Sequence, residues 1–480
     1  MSKNVDGTSL ITMTEPFETD LEKAEALDFS RPLDVHRWSD YPEVNAAVNA
    51  IYTDLKNDPD FTGSERLKKK HIKVIVLDLY VAWLTDPALY LAYHRDKSAY
   101  NNKSRYNGLH ISFLSVSIID ALQRRRYIDH HLGHYGRDGS WSSHLSRMKA
   151  TDKLIKLVKD DHKVTTKAIK TFKNTETIIL RDWVEDKDGN LRKRDIEYTD
   201  TRETNRMRKE LGKYNALINA TTIEIPGLDG EVIEGIDGRY GHLVNYPENR
   251  IRRIFNNGTW SEGGRYYGGW WQRIPGKIRR QIRIDNSSNP CSEIDYSGLH
   301  IIMLYAIEGI DYWQTDGIDP YKLDGIEQSE RMRQLLKQVL LIAINAKTKK
   351  GAVSAIRQEI NFDDSSYGWT KEKDINISEL IDAFANRHSP IQHHLFSGSG
   401  IKLQNIDSKI AETIINHFTN KGIVTLCIHD SFLIDPLYEN ELNQLMTEAF
   451  SSIMKFYTDT GIDIDAMKKH QSMYSDALEL

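Results

Sequence analysis

Residues 292–304 read SEIDYSGLHIIML, in which Asp295 stands at the edge of an apolar run. Residues 424–434, VTLCIHDSFLI, place Asp430 in the same way. A buried carboxylate without a partner is costly, and the remedies are a hydrogen-bonding partner, a metal or protonation. Taken singly, each aspartate also reads as an ordinary turn or cap residue. Taken together, two hydrophobic strands with one aspartate each predict a shared metal site on adjacent strands. Mg2+ is held by a few carboxylates, waters and substrate phosphates. In two-metal phosphoryl transfer, ions roughly 3.5–4 Å apart stabilise the attacking and leaving oxygens together. The expectation is therefore that Asp295 and Asp430 bridge two Mg2+ ions, with Mn2+ an acceptable substitute. The backbone carbonyl of Tyr296 would complete one ion's shell.

Between these strands lies SERMRQLLKQVLLIAINAKTKKG, residues 329–351, which reads as a helix. Arg333, Lys337, Leu341 and Asn345 are spaced by four, so they form one slowly drifting stripe with successive members roughly 6 Å apart. Two cations at that separation match neighbouring phosphates of a triphosphate, and Leu341 and Asn345 would then face sugar and base. The same spacing also describes a plain solvated helix edge. Ahead of Asp295, residues 251–284 read IRRIFNNGTWSEGGRYYGGWWQRIPGKIRRQIRI. Between Arg250 and Ile284 there are nine Lys or Arg and one acidic residue, Glu262. Phosphate attraction acts over about 8–10 Å, so this local cluster outweighs the overall net charge. Arginines offer planar donors for phosphate, glycines allow close backbone approach, and aromatics stack on bases or close a core. The Trp270–Trp271 pair fits either role.

The chain has 480 residues with 39% hydrophobic and 28% charged residues and a formal net charge of −5. That length allows two or three domains. No apolar run is long enough to span a bilayer, and the acidic N-terminus lacks a signal-peptide pattern. Only two cysteines occur, Cys291 and Cys427, so neither a disulfide framework nor a cysteine zinc site is available. These features predict a cytoplasmic protein with no membrane partner.

Residues 1–60 read as an acidic tail followed by a peripheral helix. HIKVIVLDLYVAWLTD, residues 71–86, is buried as either helix or strand, since periodicity alone does not decide. Residues 109–148 combine a helical pattern running through Arg126 with a hairpin turning at GRDG. They read as a winged-helix-like module or a plain α+β packing unit. His130, His131 and His134 lack acidic or cysteine ligands at zinc-like spacing and are expected in an exposed polar turn. A second hairpin is expected over residues 175–200, turning at DKDGN.

The order of these pieces resembles the palm and fingers of family A DNA polymerases and the related single-subunit phage-type RNA polymerases, over about residues 250–440. IDYSGLH (294–300) resembles motif A, RQLLK (333–337) motif B and IHDSFLI (428–434) motif C. GGRYYGGWWQRIP (263–275), GIDPY (317–321) and LQNIDSKIAE (403–412) stand where those enzymes carry further conserved segments. The resemblance implies an α+β fold: a polymerase right hand with an antiparallel palm sheet and helical fingers, and an N-terminal α+β nucleic-acid-binding, thumb-like region. The implied division is 61–240 thumb-like, 241–310 palm with motif A, 311–395 fingers with motif B, and 396–480 palm with motif C.

It further implies a monomeric, template-directed nucleic-acid polymerase without a proofreading exonuclease. Its partners would be a DNA template and primer and nucleoside triphosphates. Asp295 and Asp430 would hold the ions, and Arg333 and Lys337 the triphosphate, Lys337 also protonating the leaving pyrophosphate. Arg265, Arg273 and Gln404 would contact primer and template, and His429 would position the primer terminus. His300 stands where the DNA enzymes carry Glu and the RNA enzymes Gly, and is the expected sugar gate, favouring deoxynucleotides. Leu341 replaces the usual motif B aromatic, Asn345-Ala346 the usual Tyr-Gly, and motif C ends in Ser431 as in the RNA enzymes. The alternatives are an RNA polymerase or primase, a template-independent nucleotidyltransferase, and a DNA-binding replication initiator without activity.

Overall fold

The computed structural model describes residues 26–61, 63–133, 144–185, 189–228, 232–234, 241–244, 249–285, 287–326, 329–362 and 376–459. Its contacts divide the chain into two units, Met1–Thr175 with Val232–Leu243, and Glu176–Glu231 with Val244–Leu480. Both mix helices and strands, an α+β architecture. Among the described residues no helix is long and apolar enough to cross a membrane.

The first unit contains β1 (Ser30–Pro32), α1 (Pro42–Leu55), α2 (Glu65–Thr85), β2 (Tyr90–Tyr93), α3 (Leu114–Arg124), β3 (Ile128–His131) and β4 (Ser146–Ala150). Its sheet runs β1-β2-β4-β3. The run at 71–86 is helical, within α2. Buried side chains face every direction from His71 to Ala82, which explains why no amphipathic period marks it. Asp78, fully buried in this helix, is neutralised by Arg31 at 2.7 Å and Arg37 at 2.5 Å. The expected hairpin exists as the β3–β4 pair, while its GRDG turn and His134 lie outside the described residues. His130 and His131 differ from expectation. They are half-buried strand residues rather than an exposed turn, and their imidazoles meet Tyr93 and Tyr90 hydroxyls at 2.6 and 3.4 Å.

The second unit opens with the hairpin β5 (Ile178–Glu185) and β6 (Leu191–Asp195), then α4 (Arg202–Ala220), β7 (Arg252–Phe255) and β8 (Gly263–Tyr267). A four-stranded sheet orders them β8-β7-β5-β6. Parallel pairing of β7 with β5 draws the hairpin into this unit, so the chain passes between the units after Thr175, after Glu231 and again after Leu243. Next come β9 (Ser292–Asp295), α5 (Leu299–Ile307), α6 (Glu330–Asn345), α7 (Lys349–Phe362), α8 (Ile377–Arg387), α9 (Gly400–Asn420), β10 (Thr425–Ile428), β11 (Ser431–Ile434) and α10 (Glu439–Asp459). The antiparallel sheet β9-β11-β10 places β11 at its centre.

The long helix α9 packs against β8, α4, α5 and α10, and so underlies everything near the two aspartates. A buried ion network holds it there: Arg253 of β7 meets Glu412 at 2.7 Å, and Arg206 of α4 meets Glu412 at 2.8 Å. The glycines at 263–269 serve this packing. Gly264 has φ +93°, and a Cβ there would lie 2.7 Å from Phe255 and 2.9 Å from Ser408 of α9. Their first task is close approach to the chain itself. Trp271 is fully buried and donates to the Cys427 carbonyl at 3.3 Å, so the tryptophan pair belongs to the core.

Candidate active site

Strand β9 ends at Asp295, which pairs across the sheet with Ser431. Ser431 begins β11, and the residue before it is Asp430. Only His429 and Asp430 separate β10 from β11, so Asp430 sits in a two-residue turn and not within a strand as its apolar flanks suggested. His429 takes the left-handed φ of 57° in that turn. The Tyr296 N–H donates to the Asp430 carbonyl at 3.3 Å, fastening the end of β9 to the turn. The two aspartates are thereby neighbours at one end of the sheet. Tyr296 contributes an N–H to this fastening, and its hydroxyl donates to the Met446 carbonyl at 2.5 Å.

The pair is in electrostatic conflict. Asp295 is reached by solvent on one side and crowded by protein on the other; desolvation, then the charge of Asp430, push its pKa up to about 6. Lys337 pulls in the other direction, so the α6 cation lies within electrostatic reach of Asp295. A third carboxylate, Glu293, stands two residues before Asp295 on the same face of β9. Arg279 at 2.6 Å and the Ser431 hydroxyl at 3.1 Å occupy its Oε1, while Oε2 is buried without a partner. Two hard carboxylates in mutual repulsion beside an unsatisfied carboxylate oxygen fit the donor set that Mg2+ takes.

Across from them, Arg333 of α6 is bound to Asp319 at 2.5 Å and lies over the Tyr321 ring at 5.2 Å, with Lys337 5.8 Å from the same ring. Burial would raise the Asp319 pKa, but the Arg333 bond holds it below the usual carboxylate range. Burial first, and the charges of Asp430 and Asp295 with it, push the Tyr321 hydroxyl's pKa up, so this ring lies between the α6 cations and the field of the carboxylates. Further along α6, Leu341 is exposed and the Asn345 amide donates back to the Leu341 carbonyl at 2.8 Å. These two contribute no contact to the carboxylate cluster.

The other flank is a buried ion pair. Arg265 of β8 grips Asp407 of α9 through Nε at 2.8 Å and through a second, shorter contact from Nη2. His300 at the start of α5 closes the triangle, its Nε2 3.4 Å from Asp407 and 3.3 Å from Arg265. Burial alone would raise Asp407, yet Arg265 and the His300 bond depress it. Arg265 is thus paired within the protein through Nε and Nη2. His429 packs edge-on against Tyr267 at 5.3 Å, and desolvation, then Arg265, lower its pKa to about 4. Its Nδ1 is buried without a partner, a neutral ring with hydrogen-bonding capacity in reserve. Gln404 is half-buried on α9 and Arg273 is exposed after the turn Trp270–Gln272.

The fold therefore gathers Asp295, Asp430, Lys337, Arg333, His300, Arg265 and His429 at one end of the three-stranded sheet. Sequence reasoning passed over Asp407, Glu293, Arg279, Asp319 and Tyr321. One signal was available: Leu403, Ile406, Ile410 and Ile414 mark the buried face of α9, and Asp407 lies on it, where a carboxylate requires a partner. Comparison of the chain with models of known protein families, with curated proteins and with solved structures finds no match.

Proposed function

We propose that this chain is a template-directed nucleic-acid polymerase, acting as a DNA polymerase through Mg2+-dependent nucleotidyl transfer on a palm and fingers of the family A and single-subunit type. The observation that carries this reading is the meeting of Asp295 and Asp430 at the sheet end, with Lys337 within electrostatic reach of Asp295. Asp295 and Asp430 would hold the ions, which when bound lower the pKa of the attacking 3′-hydroxyl and neutralise charge at the transferred phosphorus. Lys337 would meet the triphosphate and return a proton to the departing pyrophosphate. Arg333 would join it by exchanging Asp319 for a phosphate, which a guanidinium can bind as a planar, bidentate donor. Arg265 acts through its partners: with Asp407 it fixes His300, which in this reading stands beside the sugar and crowds a 2′-hydroxyl. His429, neutral and with a free Nδ1, would receive the primer terminus.

The test is extension of a labelled primer on a DNA template with Mg2+ and either dNTPs or rNTPs. The expected product is complementary to the template, absent in EDTA, and formed preferentially from dNTPs. Addition that ignores the template sequence, or DNA binding with no extension, would overturn the reading.

A further inference from the structure

We propose a second, separate metal site of the kind that takes Zn2+, built from Glu308, His393 and His394. It does not rest on the polymerase reading. Glu308 follows the last turn of α5, and the histidines end the short 3-10 turn Ser389–His394. Both imidazoles direct Nε2 at the same carboxylate oxygen, His393 at 3.1 Å and His394 at 2.8 Å from Glu308 Oε1. The three ligand atoms lie within 4.8 Å of one another. A tetrahedral Zn2+ with bonds of about 2.0–2.2 Å needs ligand atoms roughly 3.3–3.5 Å apart, so small adjustments suffice.

The two rings stand 4.1 Å apart and present the same nitrogen, Nε2, to one carboxylate oxygen. With each proton on Nδ1, the two Nε2 lone pairs and the carboxylate form one convergent donor set that a single divalent cation can take. Two imidazoles and one carboxylate match Zn2+ better than Mg2+, which prefers oxygen ligands alone. The exposure of His393 leaves the fourth position to water.

The ligands are also held in advance. The residue before the turn, His388, is fully buried between the Tyr305 hydroxyl at 3.0 Å and the Pro320 carbonyl at 2.8 Å. Glu308 precedes the α6–α8 segment in the chain and the histidines follow it, so a bound ion would tie its two ends together.

The test uses the full chain, free of affinity tag and stripped of metal, with Asp295→Asn and Asp430→Asn in the background to remove the carboxylate pair. Zn2+ is titrated against a chromophoric chelator, and Co2+ supplies a visible spectrum. The expected result is one Zn2+ per chain, a tetrahedral Co2+ spectrum and a rise in Tm with Zn2+. All three should vanish in His393→Ala/His394→Ala, and affinity should fall at least tenfold in Glu308→Gln. Circular dichroism of the metal-free variants checks that they fold. Should a variant fail to fold, diethylpyrocarbonate labelling of the parent protein decides, with Zn2+ expected to protect His393 and His394. No binding at micromolar Zn2+, binding unchanged in the folded variants, or labelling unaffected by Zn2+ would overturn the proposal.

Discussion

At Asp295 a carboxylate is raised to about 6 because protein crowds it and Asp430 repels it. A carboxylic acid held above its unfolded value destabilises the folded state when ionised; the cost is absent well below its ordinary range and complete above about pH 6. Asp295→Asn should therefore raise Tm in EDTA at pH 7.5, and the gain should shrink towards pH 4. A lower Tm for the variant at pH 7.5 would contradict the repulsion. His300 makes a second prediction. Its ring is fixed by Asp407 and Arg265, so a gate here would be rigid. Exchanging His300 for Gly should increase rNTP use relative to dNTP use, measured as a ratio of kcat/KM. An unchanged ratio would remove the gating role.

Among the elements, α9 and β8 depend on one another. Gly264 allows β8 to lie on α9, with a positive φ and no room for a Cβ between Phe255 and Ser408. Gly264→Ala combines backbone strain with that clash and should cost about 1–3 kcal/mol, read as a lower urea midpoint. An unchanged midpoint would show that the helix moves aside freely. What the sequence revealed at this scale followed from local chemistry. The hairpin of β5 and β6 was visible from its turn residues, and α6 from its periodicity. Other features depended on partners far along the chain. Periodicity could not separate helix from strand in α2, because burial on every side erases it. The tryptophans read as bases' partners or core until Cys427 supplied the acceptor, and nothing local to Arg265 foretold its pairing with Asp407, 142 residues on.

For the molecule as a whole, acid should be destabilising through histidines that fold neutral. His71 in the first unit accepts from the Ser112 N–H at 3.0 Å while bonding the Leu67 carbonyl at 2.8 Å, a pattern that requires one protonated nitrogen. His388 in the second unit is placed likewise between Tyr305 and Pro320. Desolvation is the first cause that lowers each to about 4. A histidine depressed in the fold contributes stability above its unfolded value of about 6.5, and loses it as pH falls towards 4. Chemical denaturation should thus show stability falling from pH 7 to 4.5 with proton uptake on unfolding. Constant or rising stability over that range would contradict it. The pairing of Asp295 with Asp430 could be suspected from two apolar runs alone. Their exact junction, a strand end against a two-residue turn, required the register of the three-stranded sheet.

Asp295 and Asp430 are proposed to support nucleotidyl transfer together. The most direct measurement is primer extension under single-turnover conditions, with wild type beside Asp295→Asn and Asp430→Asn, each checked for retained fold and primer–template binding. The expected result is templated extension by the wild type and a loss of about a thousandfold or more in either variant, since a metal-holding carboxylate would be removed from transition-state stabilisation. Extension at the wild-type rate by either folded variant would contradict it.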